Sequence, residues 1–129
     1  MAHPYHHALK SVKKFGGRVE DYLDIHNWFD ATKAHYGDFR HRALRHHTFG
    51  IFQCEEKFGV TIVTSDGKTV PVRLVAEQHV NDDCGFIPTV DDWLQNIIRQ
   101  PWMNNPEKIN RTISLEIERK DVANVQSME

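Results

Sequence analysis

Residues 71–85 read PVRLVAEQHVNDDCG and give the clearest structural signal in the chain. Pro71 suits the start of a helix, where its missing N–H is not needed, and Gly85 is typical of a helix end. Between them, apolar residues recur at the spacing that places them on one helical face. That face consists of Val72, Val75, Ala76, His79 and Val80. The pattern therefore predicts a core helix that carries one histidine on its buried side.

Four more helices are predicted around this one, each bounded by glycine, proline or a capping residue. They span residues 4–15, 19–34, 39–57 and 90–100. The third has an inward stripe that His47 interrupts, and the last begins with a capping box of Thr89 and Asp92. Its expected core face is Trp93, Leu94, Ile97 and Ile98. These helices would surround the 71–85 helix.

Two short apolar segments lie between the third helix and the 71–85 helix. Residues 60–63 and 69–70 flank Asp66-Gly67, a dipeptide typical of a tight hairpin turn. A lone hairpin is marginal in water, so it should pack on the helices. The predicted fold class is mainly α, a compact bundle of about five helices with one small β-hairpin and a strand-like C-terminal extension.

The last part of the chain differs in pattern from the rest. Asn104-Asn105-Pro106 is typical of a turn, and Ile113, Leu115 and Ile117 then alternate with polar residues, which predicts a strand. We expect a helical domain at 1–103 and a C-terminal extension at 104–129. An exposed strand edge invites pairing. Homo-oligomer formation through the extension is therefore one hypothesis, beside pairing with the hairpin or docking on a partner.

Composition excludes several classes of protein. The 129 residues are 40% apolar and 26% charged, which is ordinary for a soluble domain. A net charge of -2 gives no general attraction to nucleic acid, so nucleic-acid binding is not expected. No run approaches the ~20 apolar residues of a membrane span, and the N-terminus lacks a signal peptide's apolar run. With two cysteines, Cys54 and Cys84, and no CxxC pair, a cytoplasmic location with reduced thiols is expected.

Histidine is the chemically informative residue, with nine copies in the chain. His26 and Asp30 are four residues apart on the second helix, as are His79 and Asp83 on the 71–85 helix, so each pair shares a face. Nitrogen and oxygen ligands together suit zinc, iron or manganese better than calcium. The predicted metal ligands are His7, His26, Asp30, His47, His79 and Asp83. The alternative is that these histidines are buried structural residues.

Positive charge crowds the first two turns of the third helix, at Arg40, His41, Arg42, Arg45 and His46. Arg45 lies one turn beyond His41, and its guanidinium suits a phosphate or carboxylate. Arg45 and His41 are therefore the predicted substrate-binding residues. The alternative is a solvated basic face, which the net charge of the chain favours.

Two functional hypotheses follow from these residues. The first is a metal-binding protein with a histidine-lined pocket, in which the ion lowers the pKa of a bound water and supports hydrolysis of a phosphoester-type substrate. The second is a non-catalytic accessory protein that binds a protein or nucleic-acid partner. The sequence has no GxSxG, P-loop or GxGxxG motif. It does not decide whether the protein is an enzyme.

Several segments together resemble a known family. They are HHALKSVKKFGG at 6–17, IHNWFDATK at 25–33, HRALRHHTFGIF at 41–52, TSDGKTV at 64–70, and AEQHVNDDCGFIP at 76–88 followed by Trp93. In combination they are similar to a family of small uncharacterised phage and bacterial proteins, over about residues 1–103. That family is a domain of unknown function. The resemblance therefore implies the cytoplasm of a bacterium or of a phage-infected host, and no activity or cofactor.

Overall fold

The computed structural model describes residues 3–104, and the predicted mainly α fold is confirmed there. The helices are α1 Pro4–Phe15, α2 Leu23–Asp30, α3 Thr48–Phe58, α4 Val72–Cys84 and α5 Val90–Leu94. Shorter 3-10 helices cover Val19–Asp21, Ala31–Ala34, Phe39–Leu44 and Pro101–Met103. One β-hairpin pairs β1 Thr61–Val63 with β2 Thr69–Pro71. None of the helices in this part of the chain combines the length and apolar composition needed to cross a membrane.

The chain divides into two compact units, the first ending at Gln95 and the second beginning at Asn96. The first unit contains α1 to α5 and the hairpin. In the second, Pro101–Met103 is a 3-10 helix, and the Arg99 guanidinium donates to Asn104 Oδ1 at 2.9 Å. The predicted strand at Ile113, Leu115 and Ile117 lies outside the described residues. The boundary after residue 103 and assembly through the extension stay predictions.

Helix α4 lies at the centre of the first unit, in contact with α1, α2, α3 and both strands. Val72, Val75, Ala76 and Val80 are all 0% exposed, as the apolar stripe predicts. Burying a valine side chain contributes about 1.5–3 kcal/mol, so this face supplies much of the core energy. Gly85 ends the helix at a φ of 82°, in the left-handed region that glycine tolerates best.

The predicted second and third helices are both interrupted. In the second, a 3-10 turn precedes α2, and the buried Tyr22 hydroxyl at the junction donates to the Gly16 carbonyl at 2.6 Å. In the third, the chain breaks before α3 and His47 becomes the N-cap, its Nδ1 accepting from the Gly50 N–H at 2.9 Å. The imidazole does here what a Ser or Asp side chain usually does. The predicted continuous helix at 39–57 is therefore wrong. Hydrophobic periodicity does not indicate such a cap, so the sequence pattern could not reveal the break.

Gly50 shows why the break has this shape. A Cβ at Gly50 would lie 1.8 Å from the carbonyl oxygen of Arg45, so only glycine lets the two backbone segments approach this closely. The Thr48 N–H donates to the Pro88 carbonyl at 2.9 Å, which ties the start of α3 to the segment before α5. Because of the break, the side chains of His46 and His47 point in different directions, so only one of them reaches α4.

The capping box of Thr89 and Asp92 is confirmed, but α5 ends at Leu94. The predicted core face is therefore wrong at Leu94, Ile97 and Ile98, while Trp93 is half-buried and donates from Nε1 to the His46 carbonyl at 2.9 Å. Leu94, Ile97 and Ile98 are 47%, 55% and 78% exposed. A helix of five residues cannot continue an i, i+3, i+4 pattern into the residues that follow it.

Candidate metal centre

Most of the histidines lie inside the protein. Six of the nine are buried: His7, His26, His41, His46 and His79 at 0% exposure and His47 at 3%. Burying an imidazole is costly unless its nitrogens find partners. The partners of each ring therefore show what the ring does.

Four buried ligand atoms converge beside α4, and we call these residues the centre: Asp30, His46, His79 and Asp83. Asp30 ends α2, His79 and Asp83 lie one turn apart on α4, and His46 comes from the break before α3. Asp83 Oδ2 lies 3.0 Å from His46 Nε2 and 3.2 Å from His79 Nε2. Asp30 Oδ1 lies 3.4 Å from His79 Nε2 and 3.9 Å from His46 Nε2. Neighbouring ligands of a tetrahedral zinc ion are about 3.3–3.4 Å apart, so the spacing matches a metal site.

Several of these atoms lack a hydrogen-bond partner. Both carboxylate oxygens of Asp30 and the Nε2 of His79 are buried and unpartnered among the described residues. His79 Nε2 is within 3.4 Å of Asp30 and Asp83, but neither oxygen lies in hydrogen-bond geometry to it. An uncompensated buried charge costs several kcal/mol. A cation between these atoms would remove that cost, so the orphaned atoms fit a metal ion.

The charges of the centre also fit a divalent cation. Burial opposes ionisation of Asp83, but His46, His7 and His79 outweigh it and hold the pKa of that carboxyl well below its usual range. For Asp30, burial is likewise outweighed, by His79, and its pKa is lowered. Burial lowers the pKa of His46 to about 4, against the opposing effect of Asp83. The ionised carboxyls carry two negative charges, and a divalent cation with neutral imidazoles would balance them.

His79 differs electrostatically from the other buried histidines. Burial lowers its pKa, but the neighbouring carboxyls of Asp30 and Asp83 outweigh burial, and the net effect is a raised pKa. Without a metal, a proton on His79 therefore supplies part of the positive charge that the carboxylates need. Metal and proton compete for the same nitrogen.

A second cluster shares His79 and contains His7 and His26, and we call it the three-histidine group. His26 Nδ1 lies 2.9 Å from His79 Nδ1, and His26 Nε2 lies 2.8 Å from Ser11 Oγ. His7 Nδ1 contacts Asp82 Oδ2 at 3.1 Å. Burial lowers the pKa of His26 to about 2, so this ring is neutral. Protein groups thus engage both nitrogens of His26.

Five of the six predicted ligands come together in these two clusters: His7, His26, Asp30, His79 and Asp83. His47 belongs to neither, because its Nδ1 caps α3 and its Nε2 lies 3.0 Å from the Ala43 carbonyl. His46, which sequence reasoning placed in the basic face, is the residue that reaches the centre. The sequence signal that could have identified His46 is the pair of adjacent histidines before Thr48-Phe49-Gly50, since one histidine can cap the helix while the other points inward.

The structure places the predicted substrate-binding residues in other contacts. Arg45 Nη1 donates to the Trp28 carbonyl at 2.6 Å, and its guanidinium stacks 4.1 Å from the centre of the Trp28 ring. His41 is fully buried, with Nδ1 2.9 Å from Thr32 Oγ1. Both residues thus have partners inside the protein. Their substrate-binding role stays a prediction.

A family model described as a domain of unknown function, DUF6915, matches residues 2–103. The match covers most of the chain and all four residues of the centre. The chain belongs to the DUF6915 family. The predicted resemblance to an uncharacterised family is thereby confirmed. No curated protein and no solved structure matches the chain at a significant level.

Proposed function

We propose that this DUF6915 protein binds one divalent transition metal ion at the centre. The observation that carries the proposal is the set of four buried ligand atoms at metal-ligand spacing, with Asp30 lacking any other partner among residues 3–104. Two carboxylates and two imidazoles in a tetrahedral arrangement suit zinc first. Manganese favours more oxygen ligands in an octahedral shell, and iron usually keeps open positions. Zinc is therefore the ion we propose.

The proposed role of the ion is structural. Its ligands come from the end of α2, the break before α3, and the C-terminal half of α4, so one ion would crosslink three segments. All four side chains are buried, and four protein ligands leave no position for a substrate. Closed sites of this kind stabilise folds, because the free energy of metal binding adds to that of folding.

Hydrolysis of a phosphoester is the finer hypothesis, and it needs an open coordination position that water and substrate can reach. Two cavities, of about 470 and 290 Å³, lie along α4 and share Glu77 and Ile87 in their walls. Neither is lined by a residue of the centre. The burial of the centre thus supports a structural ion over a hydrolytic one.

Metal analysis of untagged protein tests the proposal. We expect one equivalent of zinc after purification, and one equivalent rebound after chelation. Asp30→Asn removes a charge and a ligand at little change in volume, and we expect it to abolish tight binding. His35→Ala, at an exposed histidine, is the matched control and should bind as the wild type does. Wild-type protein that binds no metal, or Asp30→Asn with unchanged affinity, would refute the proposal.

A further inference from the structure

We infer that a directed chain of hydrogen bonds through Gln78, Ser11 and His26 holds the proton of His79 on Nδ1 and so presents Nε2 to the ion. The inference rests on the proposed function for the ion. The hydrogen-bond chain itself rests on its own geometry. All of its members are buried: Ser11, His26 and His79 at 0% exposure and Gln78 at 5%.

The direction of the chain is set at Gln78. Its Nε2 donates to the His7 carbonyl at 2.9 Å and to Asp82 Oδ2 at 3.3 Å. Both are acceptors, so the orientation of the amide is fixed with Oε1 toward Ser11. The Ser11 hydroxyl lies 2.7 Å from that oxygen and 3.2 Å from the His7 carbonyl, and its one hydrogen goes to these acceptors, with the shorter contact to Gln78.

The next two links follow from that donation. Since Ser11 has given its only hydrogen, it accepts at 2.8 Å from the Nε2–H of His26. A neutral ring protonated on Nε2 has a lone pair on Nδ1. The Nδ1 of His26 therefore accepts at 2.9 Å from the Nδ1–H of His79. Both acceptors of the Ser11 hydrogen lie away from His26, so the direction from His79 through His26 to Ser11 holds, and the reverse direction would leave Gln78 Oε1 without a donor.

The consequence lies at the other side of the His79 ring. With its proton on Nδ1, neutral His79 directs the lone pair of Nε2 toward Asp30 Oδ1 at 3.4 Å and Asp83 Oδ2 at 3.2 Å. A lone pair beside two carboxylates is stable only with a metal ion between them or a proton on Nε2. Outer partners that fix the tautomer of a ligating histidine are a general feature of metal sites. Ser11, His26 and Gln78 are thus positioning residues that act through His79.

The competing arrangement is a second ion within the three-histidine group, whose nitrogens also converge. Such an ion would displace the proton between His26 and His79 and make His79 a bridge between two metals. The hydrogen-bond chain predicts one ion per protein and a retained proton on His79 Nδ1. Stoichiometry and tautomer therefore separate the two arrangements.

A pair of variants at His26 tests the chain through metal affinity. In His26→Asn, the side-chain oxygen can take the place of Nδ1 and accept from His79, so we expect the zinc Kd to stay within about threefold of wild type. In His26→Leu the acceptor is lost, and we expect zinc to bind about 10–100-fold more weakly. The unfolding midpoint of each metal-free variant serves as the measure of folding. A purely structural role predicts equal loss of affinity in both, and that result would overturn the inference.

The tautomers can be read directly by long-range ¹⁵N–¹H correlation spectra at neutral pH. We expect His26 as the Nε2–H form in metal-free protein and His79 as the Nδ1–H form in zinc-loaded protein. His26 protonated on Nδ1 in a protein that binds zinc would overturn the inference and leave the proposed function standing. Two bound zinc ions with loss of the His79 Nδ1–H would also overturn it. Failure to bind zinc would refute the proposed function and, with it, the presentation of Nε2 to an ion.

Discussion

The centre and the three-histidine group share His79 but differ in how their polar atoms are satisfied. In the centre, both oxygens of Asp30 and the Nε2 of His79 have no hydrogen-bond partner among the described residues. In the three-histidine group, both nitrogens of His26 lie within hydrogen-bond distance of protein atoms, at 2.8 and 2.9 Å, and the unpartnered Nε2 of His7 lies 3.2 Å from Asp83 Oδ1 of the centre. A cluster of histidines therefore indicates an ion where the protein leaves ligand atoms unsatisfied, and a supporting network where it satisfies them.

The largest expected effect of a substitution is at Asp83, the carboxylate that contacts His7, His46 and His79. Asp83→Asn should abolish zinc binding and lower the free energy of unfolding by about 3–5 kcal/mol, because it removes the charge from a buried, multiply paired site. Urea denaturation with and without zinc measures both effects. Asp91→Asn changes an exposed carboxylate on α5 and should alter neither. If Asp83→Asn were as stable as the wild type, the centre would not depend on this carboxylate. The contrast between the centre and the three-histidine group would then fail.

Acid should destabilise the metal-free protein next most strongly. The folded-state pKa of His26 is about 2 and that of His46 about 4, both below the ordinary value of 6.5. At a pH between 6.5 and the folded-state pKa of each histidine, the unfolded chain binds a proton that the folded protein excludes. The stability that these two histidines contribute is therefore full above pH 6.5 and falls as the pH drops, by about 1.4 kcal/mol per pH unit for each, until the folded-state pKa of that histidine is reached.

His79 acts in the opposite sense, since its raised pKa contributes stability that is lost as the pH rises above 6.5. Metal-free protein should thus be most stable near neutral pH, and urea midpoints measured across the acid range check this. His46→Ala should make the acid decline shallower, because the proton that His46 excludes is gone, while burial still lowers the pKa of His26, His41 and His47. A stability that does not change between neutral and mildly acidic pH would contradict neutral, buried His26 and His46.

The smallest expected change in stability is at His47, and its comparison with the adjacent His46 separates a helix cap from a metal ligand. His47→Ala removes the N-cap and should cost about 1 kcal/mol of stability while zinc affinity stays near wild type. His46→Ala removes a ligand and should abolish tight binding. Chelator competition measures affinity, and urea midpoints measure stability. If His47→Ala lost the metal and His46→Ala kept it, the break before α3 would be wrongly placed.

Much of this fold could be predicted because its elements have local signals. Pro71, the apolar stripe and Gly85 define α4, and the pairing of Thr89 with Asp92 defines the start of α5. Helical spacing also brought His79 and Asp83 onto one face, as the structure confirms. These features depend on residues within a few positions of each other, which is the range over which sequence patterns carry information.

The remaining parts of the site depend on contacts distant in sequence. His46 has no helical partner, and its direction depends on the close approach of Gly50 to the Arg45 carbonyl. Ser11 and Gln78 are 67 positions apart, so no local pattern relates them. Their chemistry is visible only when α1 and α4 pack together. This is why sequence reasoning found most candidate ligands but missed His46 and the network behind His79.

X-ray absorption at the zinc edge of the loaded protein shows which of the two clusters holds the ion, because it counts the imidazoles around the ion. The centre predicts four nitrogen and oxygen ligands at about 2.0–2.1 Å, two of them imidazoles. The three-histidine group would instead place three imidazoles around the ion. A first shell with two imidazoles and two carboxylate oxygens supports the centre. Three imidazoles, or a shell made largely of water, would contradict it.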